Sequence, residues 1–441
     1  MRSIFALLLI IACSAAHAQM NELRKAWMGA NGTFSNRGMA IDTVMQGGTF
    51  HAMGMKKGDT IIVLNNATIK GADDWYDKAL SFYTGDKINL VYKRGKKIAP
   101  KTGTAVMRPY ETSDIADVQY GWVDMSDCTL RTIVRKPKGA ANAPAILLIP
   151  GYNCGSIENY NQGSYGKLIN TWLRGGFAVI TIEKSGLGDS YGCVPCIEAD
   201  LAMDIRVFEA GYKHMESLSF VDKNNLFIWG HSMGGVIAPL IAEKHKPRGV
   251  IAYATVFRPW SEFLLEMHRV QLPLDGKTYA ETEDYVRGVQ KIYYEFFRLK
   301  KSPEELHQNP EYAAMVEKDM EYKPGKTDMW GRHWRFWQQI DSLDLARSWA
   351  AVDARVLSVF GGADFVACSE LEHELIVHTV NSTHPGNAMH MHIPDLDHLL
   401  TRNPDWPSAH KHFMDAKYKA ANFHQEYADK LVSWMKSVMA Q

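Results

Sequence analysis

The pattern with the clearest chemical meaning in this chain is Gly230-His231-Ser232-Met233-Gly234. It follows a short apolar run at residues 226–229 and precedes residues 235–244, whose composition is typical of a helix. A serine hydroxyl is a weak nucleophile at neutral pH and needs both an adjacent base and an open approach. A sharp turn from strand to helix exposes the hydroxyl, and the flanking glycines allow that turn without a Cβ clash. The pattern therefore predicts that Ser232 is a nucleophile.

The segments around this motif alternate between strand and helix patterns. Strands are predicted at 145–149, 178–182, 249–254, 355–360 and 389–393, and helices at 165–174, 198–215, 369–379 and in a last segment that ends at 439. Strands at 118–123 and 130–134 are predicted to form an antiparallel pair before them. Residues 257–350 interrupt the alternation with a long, mostly helical insert that is rich in aromatic residues. Because alternating strands and helices build parallel sheets covered on both faces, we expect an α/β fold.

These segments together resemble the α/β-hydrolase superfamily across residues 118–441. The run Thr255-Val256-Phe257-Arg258-Pro259-Trp260, which leads into the insert, is similar to the capped serine aminopeptidase and carboxylesterase branch of that superfamily. The resemblance implies a hydrolase domain at 117–441, with a mostly parallel sheet, helices on both faces and a helical cap at about 257–350. It also implies a catalytic triad in the chain order serine, acid, histidine.

The hydrolase resemblance indicates where the acid and the base of the triad should lie. Asp364 follows the predicted strand 355–360, where loops at strand ends face the active site of such folds. Nine histidines follow Asp364. Eight of them lie in helical patterns, on one face of a strand, in the turn before that strand or beyond Pro407, and we set these aside as the base: 373, 378, 384, 390, 392, 410, 412 and 424. His398 lies in a loop just after the last strand, which is where the hydrolase pattern places the base. We expect Asp364 to orient His398, which takes the serine proton.

An oxyanion hole requires two backbone N–H groups. The residue after the nucleophile, Met233, is expected to supply the first. The loop after the first parallel strand, residues 150–154, is expected to supply the second, and by the family pattern that donor is Tyr152.

Residues 20–98 have a different pattern. Strands are predicted at 38–44, 60–64 and 87–92, with a helical stretch at 73–82. The run Gly-Met-Lys-Lys-Gly-Asp-Thr-Ile-Ile-Val-Leu-Asn at 54–65 is similar to the central signature of PDZ domains. The resemblance implies a small β-rich domain that binds an extended peptide at a sheet edge, or a copy that only packs against its neighbour. Residues 99–116, which contain proline and glycine, are predicted to be a linker.

The N-terminus is typical of a signal peptide, predicted at residues 1–18. Met1-Arg2-Ser3 is a short basic start, residues 4–12 are apolar, and Ala16-His17-Ala18 forms a cleavage site. The apolar run is too short to span a bilayer, and no later run is long enough. We therefore expect export to the periplasm or the extracellular space. The alternative is a lipoprotein anchored at Cys13.

Charge and cysteine content exclude some functions. Lys and Arg number 49, as do Asp and Glu, so no bulk charge favours nucleic acid. Five cysteines follow Cys13, at positions 128, 154, 193, 196 and 368. An odd number in an oxidising compartment leaves at least one thiol free, and the sequence does not indicate which cysteines pair. No second ligand pair accompanies Cys193 and Cys196 at zinc spacing, so we predict neither a metal nor a cofactor.

Three functions fit these residues. The leading interpretation is an exported serine hydrolase that cleaves small-molecule carboxylic esters through an acyl-enzyme. The second is a serine peptidase or aminopeptidase of the same fold, with the PDZ-like unit supplying peptide ends, and the third is an inactive hydrolase fold that binds a partner. Esters and amides pass through the same acyl-enzyme, so the residues do not separate them. Trp330, Trp334 and Trp337, spaced i, i+4 and i+7, are predicted to share one helix face, either in the core or in a lid over the site.

Overall fold

The computed structural model describes residues 24–79 and 81–441, and it divides into one unit that ends at Glu111 and another that begins at Thr112. The predicted signal peptide and Cys13 lie outside the described residues, and both remain predictions. Within the described residues, no helix combines the length and the apolar character needed to cross a membrane.

The N-terminal unit is built on an antiparallel sheet. Its strands are β1 (Ala30–Ser35), β2 (Gly38–Val44), β3 (Thr60–Leu64), β4 (Ala67–Thr68), β5 (Lys87–Arg94) and β6 (Lys97–Thr104), in the order β1-β2-β3-β5-β6 with β4 beside β3. Two short helices span Thr49–Ala52 and Ala72–Ala79. Ile88 and Leu90 of β5 are buried with Phe50 and Ile61, whereas the residue between them is exposed. This alternation is the reason that one face of the sheet covers the core of the unit.

Strand β6 occupies part of the segment that the sequence predicts to be a linker. It pairs with β5 along its whole length, so residues 99–104 are sheet and the linker prediction is wrong for them. Pro100 is tolerated because β6 is an edge strand, where a missing N–H costs no ladder hydrogen bond. The PDZ-like character of the unit remains a prediction.

The C-terminal unit contains a mixed sheet of eight strands. They are β7 (Ala116–Asp124), β8 (Thr129–Pro137), β9 (Ala143–Ile149), β10 (Ala178–Ile182), β11 (Val221–His231), β12 (Gly249–Tyr253), β15 (Arg355–Gly361) and β16 (Ala388–Ile393). Their order is β16-β15-β12-β11-β9-β10-β8-β7. The six strands from β16 to β10 pair in parallel, and β8 pairs antiparallel with β10 and with β7. The carboxyl ends of the parallel strands therefore meet at one edge.

Helices cover both faces of this sheet. They span Gly163–Arg174, Leu201–Ser217, Met233–His245, Glu370–Thr383, Trp406–His412, Ala416–Ala421 and Gln425–Met439. Along β11, Leu226 and Ile228 face a core with the helices Leu201–Ser217 and Met233–His245. Phe227 and Trp229 face the opposite core, with the first and last helices. Because both faces of β11 are buried, the strand is apolar throughout its second half.

The chain between β12 and β15 corresponds to the predicted cap and is mostly helical. Its helices span Trp260–Leu274, Tyr279–Tyr293, Pro303–His307, Ala313–Asp319, Trp334–Asp341 and Leu345–Ala350, with a π-helical turn at Tyr294–Arg298 and a small hairpin of β13 (Asp328–Met329) and β14 (Arg332–His333). Trp330 lies in the hairpin turn with φ 48°, before the helix that carries Trp334 and Trp337 begins. The prediction that the three tryptophans share one helix face is therefore wrong, because a left-handed backbone at 330 ends any helical phase.

Two disulfides join loops of the C-terminal unit. Cys128 pairs with Cys193, and Cys154 pairs with Cys196. Among the described residues the free thiol is that of Cys368, which is buried.

Candidate active site

Ser232 occupies a strained turn between β11 and the helix Met233–His245. Its backbone has φ 55° and ψ −120°, a conformation that an L-residue adopts only when its surroundings enforce it. A Cβ on Gly230 would collide with the carbonyl oxygen of Gly234, and one on Gly234 would collide with that of Ile149. The two glycines of the motif are thus required for the close packing of the turn. The Ser232 N–H donates to the carbonyl of Tyr253 at 2.9 Å, which anchors the turn to β12.

Asp364 and His398 are brought together from two neighbouring loops. Asp364 lies after β15 and His398 after β16, and His398 Nδ1 donates to Asp364 Oδ2 at 2.9 Å. The other carboxylate oxygen of Asp364 accepts the N–H groups of Val366 and Ala367 at 2.8 and 2.9 Å. Asp364 is fully buried. Both carboxylate oxygens are therefore fixed, and one of them holds the imidazole in a single orientation.

Burial and charge act in opposite directions on this pair. Burial alone would lower the pKa of His398, but the carboxylate of Asp364 raises it above the ordinary value of 6.5. Burial alone would raise the pKa of Asp364, but the charge of His398 and three hydrogen bonds hold it below 3.8. Asp364 is consequently ionised at neutral pH, and His398 is a stronger base than a free imidazole.

The loop that carries His398 is held by side chains that the sequence analysis did not single out. His231 Nε2 bonds the carbonyl of His398 at 2.9 Å, and His231 Nδ1 lies 2.7 Å from the hydroxyl of Tyr165. Burial lowers the pKa of His231 to about 3, so this ring is neutral and does not titrate with His398. The hydroxyl of Tyr253 donates to the carbonyl of Asp397. No local pattern reveals these contacts, since they join residues far apart in the chain.

The other histidines that follow Asp364 have different partners. His390 and His392 both bond Glu370, at 2.8 and 2.7 Å, and His373 bonds the hydroxyl of Ser358 at 2.9 Å. His424 bonds Asp395 at 2.9 Å. Of these nine histidines, His398 is the one that lines the cavity described next.

A cavity of about 510 Å³ is lined by four of the five residues that the sequence predicts for the site, Tyr152, Ser232, Met233 and His398. The fifth, Asp364, does not line it but bonds His398. The cavity wall is mostly aromatic and apolar, with contributions from Trp260, Phe263, Leu264, Met267, Tyr293, Trp330, Trp337 and Phe413. Asp319 and Glu321 are the carboxylates on the wall. Such a chamber suits a substrate with a bulky apolar group.

The loop after β9 lies directly against the nucleophile. A Cβ added to Gly151 would come to 3.5 Å from Ser232 Cβ and 3.7 Å from its Oγ. Tyr152 follows, with its ring edge-on to Trp337 at 5.1 Å. Met233 begins the helix after Ser232, so its N–H is one of the first, which have no partner inside the helix. The two predicted oxyanion donors thus lie on either side of Ser232 in the chain fold.

The sheet order, the helices on both faces and the serine on a strand-to-helix turn define an α/β-hydrolase. The chain belongs to the family described as serine aminopeptidase, S33, whose model matches residues 145–402. The predicted superfamily and the prediction of a hydrolase are thereby confirmed.

Several solved structures have a similar fold. Est1E from Butyrivibrio proteoclasticus is 13% identical with a TM-score of 0.45, over 73% of this chain and 99% of that one. An esterase of Pyrococcus furiosus is 12% identical with a TM-score of 0.44, over 74% and 91%. An α/β hydrolase from a Penicillium species is 13% identical with a TM-score of 0.45, over 74% and 100%. No curated protein matches the sequence significantly.

Proposed function

We propose that the protein is an exported serine hydrolase that cleaves carboxylic esters, with Ser232, His398 and Asp364 as its catalytic residues. The observation that carries the proposal is the buried hydrogen bond between His398 and Asp364, on the wall of the cavity that Ser232 also lines. Nucleophile, orienting carboxylate and base follow each other in the chain in the order typical of this fold.

The reaction begins when Ser232 Oγ attacks the ester carbonyl carbon and its proton passes to His398 Nε2. Asp364 stabilises the imidazolium that results, since it already accepts a hydrogen bond from the Nδ1–H group of His398. The carbonyl oxygen becomes an oxyanion, and the N–H groups of Met233 and Tyr152 are proposed to bind it.

The tetrahedral intermediate collapses as His398 returns the proton to the leaving alcohol, which leaves an acyl group on Ser232. Water then attacks the acyl carbonyl carbon while His398 accepts a proton from it, which gives a second tetrahedral intermediate. Its bond to Ser232 Oγ breaks as His398 returns the proton to that oxygen, and the carboxylic acid departs from the regenerated enzyme. The aromatic wall of the cavity is proposed to hold the acyl or alcohol group during both steps.

The test is labelling and turnover. A fluorophosphonate probe is expected to modify the wild-type protein at Ser232, and Ser232→Ala is expected to keep its circular dichroism spectrum but lose hydrolysis of p-nitrophenyl esters. Ser433→Ala, an exposed serine on the last helix, is the matched control and should behave as wild type. Labelling at a different serine, or full activity of Ser232→Ala, would refute the assignment.

A peptidase is the second candidate, favoured by the two carboxylates of the cavity wall. Burial alone would raise the pKa of Asp319, but the hydrogen bond and charge of His268, 3.2 Å away, hold it below 3.8, together with the hydroxyls of Tyr285 and Tyr293, which donate at 2.7 and 2.6 Å; Asp319 is therefore charged. A carboxylate among aromatic rings suits a protonated amine. Glu321→Gln should then reduce cleavage of aminoacyl p-nitroanilides and leave p-nitrophenyl acetate unaffected. If Glu321→Gln matches the wild type on both substrates, the peptidase candidate fails and the esterase proposal is the one that remains.

The N-terminal unit is proposed to be a PDZ-like domain, residues 20–98, that binds an extended peptide. Its sheet has two edge strands, β1 and β6, and an edge offers unpaired N–H and C=O groups. Export through residues 1–18 would place the protein in the periplasm or outside the cell. Titration of the full chain with C-terminal peptides checks the first proposal, and binding that is equal for amidated and free carboxyl ends would contradict it.

A further inference from the structure

Three consecutive carbonyl groups of the loop after β9 accept hydrogen bonds from two buried basic side chains. Lys184, two residues after β10, donates from Nζ to the carbonyl of Gly151 at 2.5 Å and to that of Asn153 at 3.0 Å. Arg332 of β14 donates from Nη1 to the carbonyl of Tyr152, between them, at 2.8 Å. The side chains of Lys184 and Arg332 are 3% and 0% exposed, so water does not hold them in place.

One carboxylate lies near both of these basic side chains. Asp204, on the helix Leu201–Ser217, accepts hydrogen bonds from both terminal nitrogens of Arg332, at 2.9 and 3.0 Å. Its distance to Lys184 Nζ is longer, 3.8 Å. Burial lowers the pKa of Lys184 to about 7, against the opposing effect of Asp204. Both the charged and the neutral amine have enough N–H groups for the two hydrogen bonds to the loop, so Lys184 holds these carbonyl groups in either form.

The hydrogen bond from Lys184 determines the direction of the proposed oxyanion donor. In a trans peptide the C=O and the N–H point in opposite directions, and the described residues contain no cis peptide. The carbonyl of Gly151 belongs to the same peptide as the N–H of Tyr152. Since that carbonyl points at Lys184, the Tyr152 N–H points away from it. Gly151 lies against Ser232, so this peptide is beside the nucleophile.

We propose that Lys184 is a positioning residue for the hydrolysis: it holds the peptide between Gly151 and Tyr152 so that the Tyr152 N–H donates to the oxyanion. The inference rests on the proposed function of Ser232. A hydrogen-bond donor on the carbonyl also polarises the peptide, which makes its N–H a stronger donor. Arg332 holds the next peptide, whose N–H belongs to Asn153, and so shapes the loop without orienting the donor.

Lys184→Met keeps most of the length of the side chain and removes the amine, which is the hydrogen-bond donor. Removal of one oxyanion donor lowers kcat by about 10² to 10³ in comparable sites, and a displaced donor should lose somewhat less, about 10- to 100-fold. We expect KM for p-nitrophenyl acetate to change by less than about threefold, because the interaction is made in the transition state. Affinity for a trifluoromethyl ketone, which forms the oxyanion reversibly, should fall by the same factor as kcat/KM.

Two further variants separate positioning from stability. Lys213→Met, an exposed lysine on the helix of Asp204, is the matched control and should behave as wild type. Arg332→Met should lower the melting temperature and reduce kcat less than Lys184→Met does. Active sites in each preparation are counted by fluorophosphonate titration, so that a smaller folded fraction is not mistaken for a slower reaction.

Lys184→Met with wild-type kcat per active site, or with ketone affinity unchanged, would overturn the role of Lys184. If Lys184→Met does not fold, Lys184→Gln takes its place, with an expected loss of about tenfold because a neutral donor remains, and a wild-type kcat overturns the role equally. A wild-type protein that neither hydrolyses esters nor labels at Ser232 removes the proposed function itself. An inactive Ser232→Ala beside a fully active Lys184→Met removes only the positioning role.

Discussion

Replacement of Asp364 by asparagine tests the acid–base part of the site with the least change in shape. The side chain is buried, and its carboxylate bonds His398 at 2.9 Å on one oxygen and two backbone N–H groups on the other. Asparagine has no charge with which to stabilise the imidazolium, and the same change in a comparable triad lowers kcat about 10⁴-fold. At about 1.4 kcal/mol per factor of ten, this is about 5.5 kcal/mol of lost transition-state stabilisation, so kcat/KM should fall about 10³- to 10⁴-fold.

The pH dependence has a defined sign. His398 must be neutral to accept a proton, so activity rises as pH rises through its pKa. In the wild type Asp364 raises that pKa above 6.5, which places the acidic limb of the profile above pH 6.5. The Asp364→Asn substitution would remove the raising effect and leave the lowering effect of burial, so the limb should move to lower pH while the plateau falls.

The measurement is kcat/KM for p-nitrophenyl acetate between pH 5 and 9. Asp395→Asn is the matched control: Asp395 lies in the loop of His398, but it pairs with His424 and Arg402 at 2.9 and 2.8 Å, and it does not line the cavity. It should keep both plateau and limb. A limb that stays in place in Asp364→Asn, or a loss below about tenfold (about 1.4 kcal/mol), would refute the reasoning.

Three further outcomes are expected. Trp260→Ala enlarges the cavity and should shift the substrate preference toward esters with bulkier acyl groups than acetate. Trp334 is half-buried and lies outside the cavity, so Trp334→Ala should cause no such shift, and equal shifts in both variants would contradict the assigned wall. Cys154→Ser and Cys128→Ser should each lower the free energy of unfolding by about 2–5 kcal/mol. Only Cys154→Ser should also lower kcat, because Cys154 is the last residue of the oxyanion loop; melting curves and rates per active site decide this. A chain that begins at Thr112 should still hydrolyse p-nitrophenyl acetate, and an insoluble or inactive product would show that the C-terminal unit needs the first one.

The convergence of Ser232, Asp364 and His398 on one cavity was predictable from the sequence for a physical reason. Each follows the carboxyl end of a parallel strand, and those ends meet at one edge of the sheet. Turn chemistry is local as well, so the glycines around Ser232 were informative. The roles of the three residues remain predictions that the experiments above address.

Contacts between distant segments were not predictable. Arg332 and Asp204 are 128 residues apart, and no local pattern indicates that they pair. Strand β6 was missed because Pro100 and Gly103 usually mark turns, whereas here an unpaired edge removes the penalty for proline. Trp330 was misplaced because a spacing of three or four residues predicts a helix face only if the backbone is helical at every step.

The ion pair between Arg332 and Asp204 has a consequence for how a substrate enters. Arg332 belongs to the cap and Asp204 to the body of the domain, and Gln339 of the cap adds hydrogen bonds to Asp200 and to the N–H of Leu201. Separation of the two parts on this side would break all of these hydrogen bonds together, each worth about 0.5–1.5 kcal/mol, or about 1.5–3 kcal/mol where a charged group takes part. We therefore expect the cap to stay docked here through the catalytic cycle. Admission would then depend on the width of a fixed aperture, which acts as a molecular sieve on substrate size.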